Sequence, residues 1–381
     1  MKFLSVVGTR PNFMKLAPLA RELARRDNVE HVVVHTGQHY DAVMSDSFFQ
    51  DLQIPRPKHA LAVGSGSHAA QTAAVLAKIE PVLEAEKPDL IFVYGDVNST
   101  VAAALAAAKL QMRVAHVEAG LRSRDRTMPE EINRIVTDQL ADLLLAPSPD
   151  GVDNLRAEGV PASKIHFVGN IMIDALRAAL PAVEKRNVPA VYGLAGRRYV
   201  IATLHRPANV DDPERLRELV RALDALSLER PVLFPVHPRT QQRMESLGLR
   251  PSPTSMLRVL APLGYPDMLG LVAGAELVLT DSGGVQEETT YLGVPCLTVR
   301  PNTERPITCT QGTNRLVEPT AQAILSAARL AVPARSGARP TIERWDGKTA
   351  ERIAAIVCDG ASFDSWHQAP DARAAESLLG V

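Results

Sequence analysis

Residues 90–118 read LIFVYGDVNSTVAAALAAAKLQMRVAHVE, and this stretch decides the fold class. The apolar run 90–95 has the length of a buried strand, and a second apolar run covers 113–118. Between them, STVAAALAAAK (99–109) is a strong helix former that a Ser/Thr cap opens. A strand, a helix and a strand in this order predict parallel strands that are buried on both faces.

The same alternation continues along most of the chain. Further apolar runs are FLSVV (3–7), HVVVHT (31–36), LLLAP (143–147), IHFVG (165–169), YVIATL (199–204), PVLFPV (231–236), LVLT (277–280) and PCLTV (295–299). Helical patterns lie between them, at Leu16, Leu19 and Leu23 behind Pro11, and over 212–228 and 319–331. The chain is therefore predicted to be α/β, with two Rossmann-like, doubly wound parallel-sheet domains.

The domain boundary is expected where the strand pattern stops, near 174–198, a segment that carries Pro181, Pro189 and Gly193. We predict an N-terminal domain over 1–173 and a C-terminal domain over 174–358 that ends in a helix around 347–357. The polar tail, 359–381, either crosses back to the first domain or frays, and the sequence leaves both open.

Composition narrows the functional class. The 381 residues hold 42 Lys plus Arg against 43 Asp plus Glu, a formal net charge of −1, which argues against nucleic acid or an anionic membrane as a partner. The three cysteines are too few for a disulfide scaffold and lack zinc-site spacing, so a reducing, cytoplasmic location is expected. The absence of a run of about 18 apolar residues predicts no membrane span, and the short N-terminal apolar stretch indicates a strand rather than a signal peptide.

The chemically distinctive residues follow the apolar runs, where parallel sheets bind ligands. They are Gly8-Thr9-Arg10 with Lys15, then Asp96, Glu118, Gly120 and Arg122, and later His205-Arg206, His237 and Asp281-Ser282-Gly283-Gly284. We expect strands of both domains to direct these residues into one interdomain cleft.

Two stretches suit an anion. In DSGGVQEE (281–288), Ser282, Gly283 and Gly284 would present backbone N–H groups to a phosphate at a helix start, and Glu288 could accept both hydroxyls of a ribose. The alternative is a tight turn followed by acids that favour the helix dipole. In GTRPNFMK (8–15), Arg10 and Lys15 suit a diphosphate or carboxylate, or else form a solvated basic helix start.

Three carboxylates are candidates for proton transfer, and each has a plainer explanation. Asp96 could be an acid near a helix start, where Asn98 or Ser99 could provide the cap. Glu118 follows an apolar strand and needs a partner, for which Arg122 or Arg10 would serve. Locally, Glu130 fits a capping box over 127–130, and at most one of Glu130 and Glu131 is expected to face the cleft.

Histidines and one glycine motif complete the candidates. His205 is favoured as functional, and His237 is left open. His31, His35 and His39 are about 13 Å apart from one to the next along an extended chain, so we reject a shared metal site. GSGSHA (64–69) fits a dinucleotide-binding pattern, but the apolar run before it is short and is not a first strand, so a loop is favoured over a nicotinamide site.

Taken together, the motifs resemble one family. The matching stretches are GTRPNFMKLAPL, TGQHYD, GDVNST, AHVEAGLRS, MPEEINR, GNIMIDAL, TLHR, FPVHPR, TDSGGVQEETTYLGVP and TERPIT, in order from residue 8 to about 316. They are similar to those of the non-hydrolysing UDP-N-acetylglucosamine 2-epimerases, whose fold resembles two-domain UDP-sugar glycosyltransferases and glycogen phosphorylase. The resemblance implies a UDP-amino sugar substrate, no metal or organic cofactor, a role in cell-envelope polysaccharide biosynthesis and a homodimer.

The resemblance also implies roles for individual residues. Catalytic positions would fall on Asp96, Glu118, Glu130 and His205, which gives Glu130 a task beyond capping. The UDP-sugar would be bound by Arg10, Lys15, Ser282, Gly283, Gly284, Glu288 and Arg305. The implied reaction removes UDP to leave a 2-acetamidoglucal and then adds UDP back, with carboxylates transferring protons on both faces of carbon 2.

Several alternatives remain at this point. PANV after His205-Arg206 departs from many members, and two stretches look more like the branch that acts on modified UDP-amino sugars, such as a 2,3-diacetamido uronic acid. A hydrolysing epimerase that releases UDP and N-acetylmannosamine would use the same site. A UDP-sugar glycosyltransferase, a silent UDP-sugar sensor and a nicotinamide oxidoreductase are the other competing classes.

Overall fold

The computed structural model describes residues 1–38, 54–331 and 339–359. The chain divides into two compact units. The first contains Met1–Leu121, Asp125–Ile171 and the C-terminal segment from Lys348, and the second contains Arg122–Arg124 and Met172–Gly347.

A seven-stranded parallel sheet forms the centre of the first unit. Its strands are β1 (Lys2–Val7), β2 (Glu30–His35), β3 (His59–Ala60), β4 (Leu90–Tyr94), β5 (Val114–Val117), β6 (Leu143–Ala146) and β7 (Ile165–Phe167). Their order is β3-β2-β1-β4-β5-β6-β7, so the winding reverses between β1 and β4. Such a reversal opens a crevice at the carboxyl ends of the two strands.

Helices cover both faces of this sheet. They are α1 (Arg10–Leu23), α2 (His68–Glu86), α3 (Asn98–Lys109), α4 (Pro129–Leu140) and α5 (Pro149–Ala157). The predicted stripe of Leu16, Leu19 and Leu23 is fully buried on α1. Asn12 fixes the start of α1, because its Oδ1 accepts the N–H groups of Gly8 and Thr9, each at 3.1 Å.

A six-stranded parallel sheet forms the centre of the second unit. Its strands are β8 (Val200–Thr203), β9 (Val232–Pro235), β10 (Leu257–Leu260), β11 (Leu277–Thr280), β12 (Cys296–Val299) and β13 (Asn314–Val317). The order β10-β9-β8-β11-β12-β13 reverses between β8 and β11. The helices are α6 (Ile171–Arg186), α7 (Val188–Val191), α8 (Pro207–Val210), α9 (Pro213–Ser227), α10 (Pro238–Ser246), α11 (Tyr265–Gly274), α12 (Gly283–Leu292), α13 (Ile307–Thr310) and α14 (Ala321–Ala331). The predicted fold class, two Rossmann-like parallel-sheet α/β domains, is confirmed.

The last described helix, α15 (Thr349–Asp359), lies in the first unit and not in the second, where the sequence placed it. Its apolar residues Ile353, Ala354 and Val357 belong to the core cluster that contains Leu16 and Leu19 of α1. Helical periodicity shows that such a face must be buried, but it does not show which sheet buries it. The tail beyond Asp359 lies outside the described residues.

The predicted boundary segment contains no strand, as expected. The two units divide between Ile171 and Met172, close to the predicted position. Pro181 lies within α6 and does not end it. Among the described helices, none combines the length and apolar character needed to cross a membrane.

Candidate functional site

The first group of candidates lies where strands of the first sheet end. Glu118 directly follows β5, is 6 % exposed and has a φ of 77°. That conformation is costly for a residue other than glycine, and such outliers cluster at functional turns. Its carboxylate forms an ion pair with the ammonium of Lys15, whereas the sequence had suggested Arg122 or Arg10 as the partner.

Lys15 is buried, which excludes the solvated helix start considered for it. The turn after β4 passes close to its ammonium group. A Cβ on Gly95 would lie 2.7 Å from Lys15 Nζ, and the φ of Gly95 is +63°. Only glycine therefore lets the turn that carries Asp96 close over the Lys15–Glu118 pair.

Asp96 follows Gly95 at the end of β4, and its side chain is 26 % exposed. Its Oδ2 accepts a hydrogen bond from Arg134 Nε at 3.0 Å. Asn133 Nδ2 donates to the Asp96 carbonyl oxygen at 2.9 Å. Helix α4 therefore holds both the side chain and the backbone of Asp96.

The capping predictions near Asp96 and Glu130 are wrong. Helix α3 has Val97 at its N-cap, because Asn98 and Ser99 bond instead to Gln71 and Gln38. Helix α4 has Met128 at its N-cap, with no side-chain cap.

The capping box over 127–130 is absent because the N-cap of α4 is Met128, so Thr127 lies one residue before the position that the box requires. The Thr127 hydroxyl bonds within the preceding turn, where its Oγ1 donates to Asp125 Oδ1 at 2.6 Å.

Glu130 and Glu131 have different environments in the first turn of α4. Glu131 is 1 % exposed and forms an ion pair with Arg134, whereas Glu130 is half-buried. Glu130 is therefore the member of the pair that is more accessible to a ligand. Arg134 contacts both Asp96 and Glu131. Arg134 was assigned no role from the sequence, although its spacing from Glu131 is that of a helical ion pair.

The second group lies at the carboxyl ends of β8 and β11. His205 Nδ1 lies 2.9 Å from Oδ1 of Asp281, which is fully buried. Asp281 also accepts hydrogen bonds from the backbone N–H groups of His205 and Arg206 and from Asn209 Nδ2 at 3.1 Å. Burial opposes the charge of Asp281, but these donors outweigh it and lower the pKa of its carboxyl.

The Ser-Gly-Gly turn begins α12, as the sequence predicted. Ser282 is its N-cap residue, and the space around a Cβ built on Gly284 is open to 4 Å. A Cβ on Gly283 would instead collide with the Arg305 guanidinium and would lie 2.6 Å from Glu304 Oε1. The structure therefore brings Arg305 to the helix start, where the backbone N–H groups and the dipole favour an anion.

Two acids hold Arg305 in place. Its Nε lies 2.8 Å from Glu287 Oε1, and its Nη1 pairs with Glu304. Because Arg305 and both acids are buried, the guanidinium is fixed before any ligand arrives.

Glu288 lies on the same helix and is buried. Burial raises the pKa of its carboxyl to about 7; the nearby Tyr265 hydroxyl lowers this pKa, and the charge of Glu287 raises it. A carboxyl with this pKa changes charge in the physiological range, which suits a group that ionises when a ligand donates hydrogen bonds to it.

His237 and the GSGSHA stretch both lie at helix starts. His237 is the N-cap of α10, and its Nδ1 accepts the Arg239 N–H at 3.2 Å. Gly64–Ser67 of GSGSHA form a loop after the two-residue strand β3, and the motif continues into the start of α2, where Ser67 is the N-cap and His68 Nδ1 lies 3.2 Å from Asn98 Oδ1.

His31 is hydrogen-bonded to Ser5 Oγ at 2.8 Å, and burial lowers the pKa of its imidazole to about 4. Within residues 1–38, 54–331 and 339–359, no three His, Cys, Asp or Glu side chains are grouped to hold a metal ion. His39 lies outside the described residues.

Comparisons with known proteins point to one family. A family model described as UDP-N-acetylglucosamine 2-epimerase matches residues 21–358. The UDP-N-acetylglucosamine 2-epimerase of Methanocaldococcus jannaschii is 41 % identical over 94 % of this chain and 100 % of its own length. The UDP-2,3-diacetamido-2,3-dideoxy-D-glucuronate 2-epimerase of Pseudomonas aeruginosa is 44 % identical over 86 % of this chain and 92 % of its own.

Solved structures show the same similarity. The M. jannaschii enzyme in complex with UDP-GlcNAc and UDP has a TM-score of 0.87 and 42 % identity, covering 94 % of this chain and 100 % of that one. The Neisseria meningitidis enzyme bound to UDP-GlcNAc has a TM-score of 0.86 at 29 % identity, with the same two coverages.

Proposed function

Because the chain belongs to the UDP-N-acetylglucosamine 2-epimerase family, we propose that it interconverts UDP-N-acetylglucosamine and UDP-N-acetylmannosamine. The observation that carries this proposal is the arrangement of the three carboxylates in the first unit. Lys15 holds Glu118, Arg134 holds Asp96, and Glu130 lies on the helix that supplies Arg134. A transferase or a sensor has no need for three carboxylates in this arrangement.

The proposed reaction inverts a carbon whose hydrogen is not acidic. One carboxylate removes the carbon-2 proton while the bond between carbon 1 and the UDP oxygen breaks, which leaves 2-acetamidoglucal and UDP. The UDP oxygen then bonds to carbon 1 again as a second acid delivers a proton to the opposite face of carbon 2. Asp96, Glu118 and Glu130 share these two tasks, and the route consumes no metal or organic cofactor.

The second unit is proposed to bind and release UDP. The Ser282–Gly284 turn and Arg305 stabilise the charge of the departing diphosphate, and Glu288 accepts the ribose hydroxyls. His205, with Nδ1 bound to Asp281, is left with Nε2 for the ligand. Arg10 adds positive charge for the diphosphate, and Lys15 combines that task with holding Glu118.

Proton NMR in heavy water tests this function. Purified protein with UDP-N-acetylglucosamine should incorporate deuterium at carbon 2 and accumulate UDP-N-acetylmannosamine. Free N-acetylmannosamine together with UDP would instead identify a hydrolysing epimerase. No exchange would contradict this substrate.

The P. aeruginosa relative favours a second candidate substrate, UDP-2,3-diacetamido-2,3-dideoxy-D-glucuronate. The same heavy-water measurement with that nucleotide sugar decides between the two. If carbon-2 deuterium exchange occurs only with the diacetamido sugar, that sugar is the substrate and the proposed reaction takes place on it.

We also propose a cytoplasmic homodimer, on the basis of the family resemblance. Light scattering behind size-exclusion chromatography should give twice the 41.2 kDa of one chain. A mass of one chain at micromolar concentration would contradict the dimer.

A further inference from the structure

We propose that a fully buried pair, His116 and Asp138, is the positioning centre of the three carboxylates. His116 lies in β5 and is 0 % exposed, and Asp138 lies in α4 and is 1 % exposed. Because both side chains are buried, they would act on the reaction through other groups. This inference rests on the proposed epimerase function.

The bonding partners of the pair fix its protonation pattern. His116 Nε2 lies 2.8 Å from the Gly95 carbonyl oxygen, which can only accept, so Nε2 carries a hydrogen. His116 Nδ1 lies 2.6 Å from Asp138 Oδ1, so one proton lies between these two atoms. Asp138 Oδ2 accepts the N–H of Gly120 at 3.1 Å. These three contacts give each of the four side-chain N and O atoms of the pair a partner within the protein.

These contacts join three separate segments. Gly95 immediately precedes Asp96, and Gly120 follows Glu118 by two residues. Asp138 is on the same helix as Glu130, about 12 Å further along its axis at 1.5 Å per residue. The pair therefore ties together the turn that carries Asp96, the turn that carries Glu118 and the helix that carries Glu130.

A buried polar pair of this kind is weak evidence for stability, because an apolar pair of the same size often stabilises a core equally well. It does fix geometry, since both its members bond to backbone groups of catalytic turns. Proton transfer on two faces of one carbon is sensitive to such geometry, and displacement of a reacting group by 1 Å can cost about 100-fold in rate.

The test compares two substitutions at Asp138. Asp138→Leu removes both hydrogen bonds, and kcat for epimerisation should fall by at least about tenfold. The affinity for UDP, measured by calorimetry, should stay within about twofold, because neither His116 nor Asp138 bonds to Arg10 or Lys15 in the contacts above and the other proposed UDP residues lie in the second unit. Asp138→Asn can accept from Gly120 and donate to His116 Nδ1, so it should restore kcat to within about threefold of the wild type.

Glu86→Met is the matched control. Glu86 is a buried carboxylate of the same unit, paired with His59 at 2.6 Å and with Lys58, near the amino end of β1. The substitution removes a comparable acid–histidine contact far from the carboxyl ends of the strands. It should lower the melting temperature and leave kcat unchanged.

Any of three results would overturn the positioning role. Asp138→Leu could keep kcat within about threefold of the wild type, or it could lose kcat and UDP affinity together. In the third case, Asp138→Asn would lose as much kcat as Asp138→Leu. If Asp138→Leu does not fold, the double variant His116→Phe/Asp138→Leu replaces both partners by apolar side chains, and the same readouts decide. A wild-type enzyme that exchanges no carbon-2 proton would overturn the proposed function itself, whereas an active Asp138→Leu variant would overturn only this inference.

Discussion

At the scale of single residues, Asp281 is the bonding partner of His205, a residue with a role in the proposed reaction. It is fully buried and bonds to Nδ1 and the backbone of His205. Asp281→Asn should lower kcat by about tenfold or more, because the amide can favour the wrong histidine tautomer. In a His205→Ala background the same change should cost less than about twofold, since the ring it orients is gone.

Steady-state kinetics of the four proteins in this double-mutant cycle check the prediction. UDP affinity of the single variants is the control, because a misfolded turn would lower it. Equal losses of kcat in both backgrounds would show that Asp281 acts independently of His205.

Glu288 predicts a pH dependence of UDP binding. Burial raises the pKa of its carboxyl to about 7, well above the ordinary value, so below pH 7 the group is protonated in the free protein. Two ribose hydroxyls are best accepted by the ionised form, so binding must release that proton. The affinity for UDP should therefore be constant above pH 7 and weaken by up to about tenfold per pH unit below it.

Calorimetry of UDP binding from pH 5.5 to 8.5 measures this dependence. The terminal phosphate of a nucleotide itself titrates near pH 6, so the informative quantity is the difference between the wild type and Glu288→Gln. Glu288→Gln should bind UDP more weakly than the wild type at pH 8, and its UDP affinity should lack the pH dependence near pH 7. Identical pH profiles would remove Glu288 from the ribose site.

The candidate residues could be named from the sequence, but their partners could not. Carboxylates and histidines that follow apolar runs can be selected from the sequence, because the carboxyl ends of parallel strands lie at the same edge of the sheet. The ion pair between Glu118 and Lys15 joins residues from two different segments of the first unit, and its formation depends on how those segments pack, which the sequence pattern does not show. Arg134 was missed, and the bond between Asp281 and His205 was not foreseen, for the same reason, since these contacts join residues 38 and 76 positions apart along the chain.

At the scale of elements, two glycines at the start of α12 are expected to differ in their effect on thermal stability, although both are expected to affect UDP binding. Gly283→Ala should lower the melting temperature by several degrees, because its Cβ would displace Arg305 and Glu304, which are both buried. Gly284→Ala meets open space and should leave the melting temperature unchanged.

Both glycine variants should bind UDP more weakly. In Gly283→Ala the guanidinium is misplaced, and in Gly284→Ala a methyl group obstructs the close approach of a phosphate to the backbone. Differential scanning fluorimetry and calorimetry provide the two measurements. A Gly284→Ala protein with unchanged UDP affinity would contradict phosphate binding at this turn.

Element types were more predictable than element ends. The helices expected over 99–109, 212–228 and 319–331 are present, and Asp212 caps Pro213–Ser227 through its side chain. Ser99 and Thr127 are not N-caps, because the N-cap residues are Val97 and Met128. The side chains of Ser99 and Thr127 bond to Gln38 and Asp125. A capping motif identifies a side chain that could bond to the N–H groups of a helix start, but other contacts of that side chain and the exact start of the helix determine whether this bond forms.

At the scale of the whole molecule, the two reversals of strand order explain why the candidates cluster. Asp96 follows β4 and Arg10 follows β1, the strands on either side of the first reversal. His205 and Ser282 follow β8 and β11, on either side of the second. Alternating strands and helices predict such sheets, but the order of strands within them follows from packing that the pattern does not encode.

The placement of α15 gives the last prediction. Ending the chain after Gly347 removes Ile353, Ala354 and Val357 from the cluster they form with Leu16 and Leu19. It also removes the ion pair between Arg26 and Asp359 and the bond from Arg352 to the Val168 carbonyl. Loss of three buried apolar side chains should destabilise the first unit by several kcal/mol, at roughly 1–3 kcal/mol for each larger side chain.

Hydrogen exchange followed by mass spectrometry locates that loss. Amides of β1 and α1 should lose protection, while those of β8 and of helix Pro213–Ser227 keep theirs. A chain that ends after Asp359 is the matched control, because it retains all of the contacts just named, and it should exchange like the full protein in these segments. Loss of protection in Pro213–Ser227 instead of α1 would assign the helix to the second domain, where the sequence first placed it.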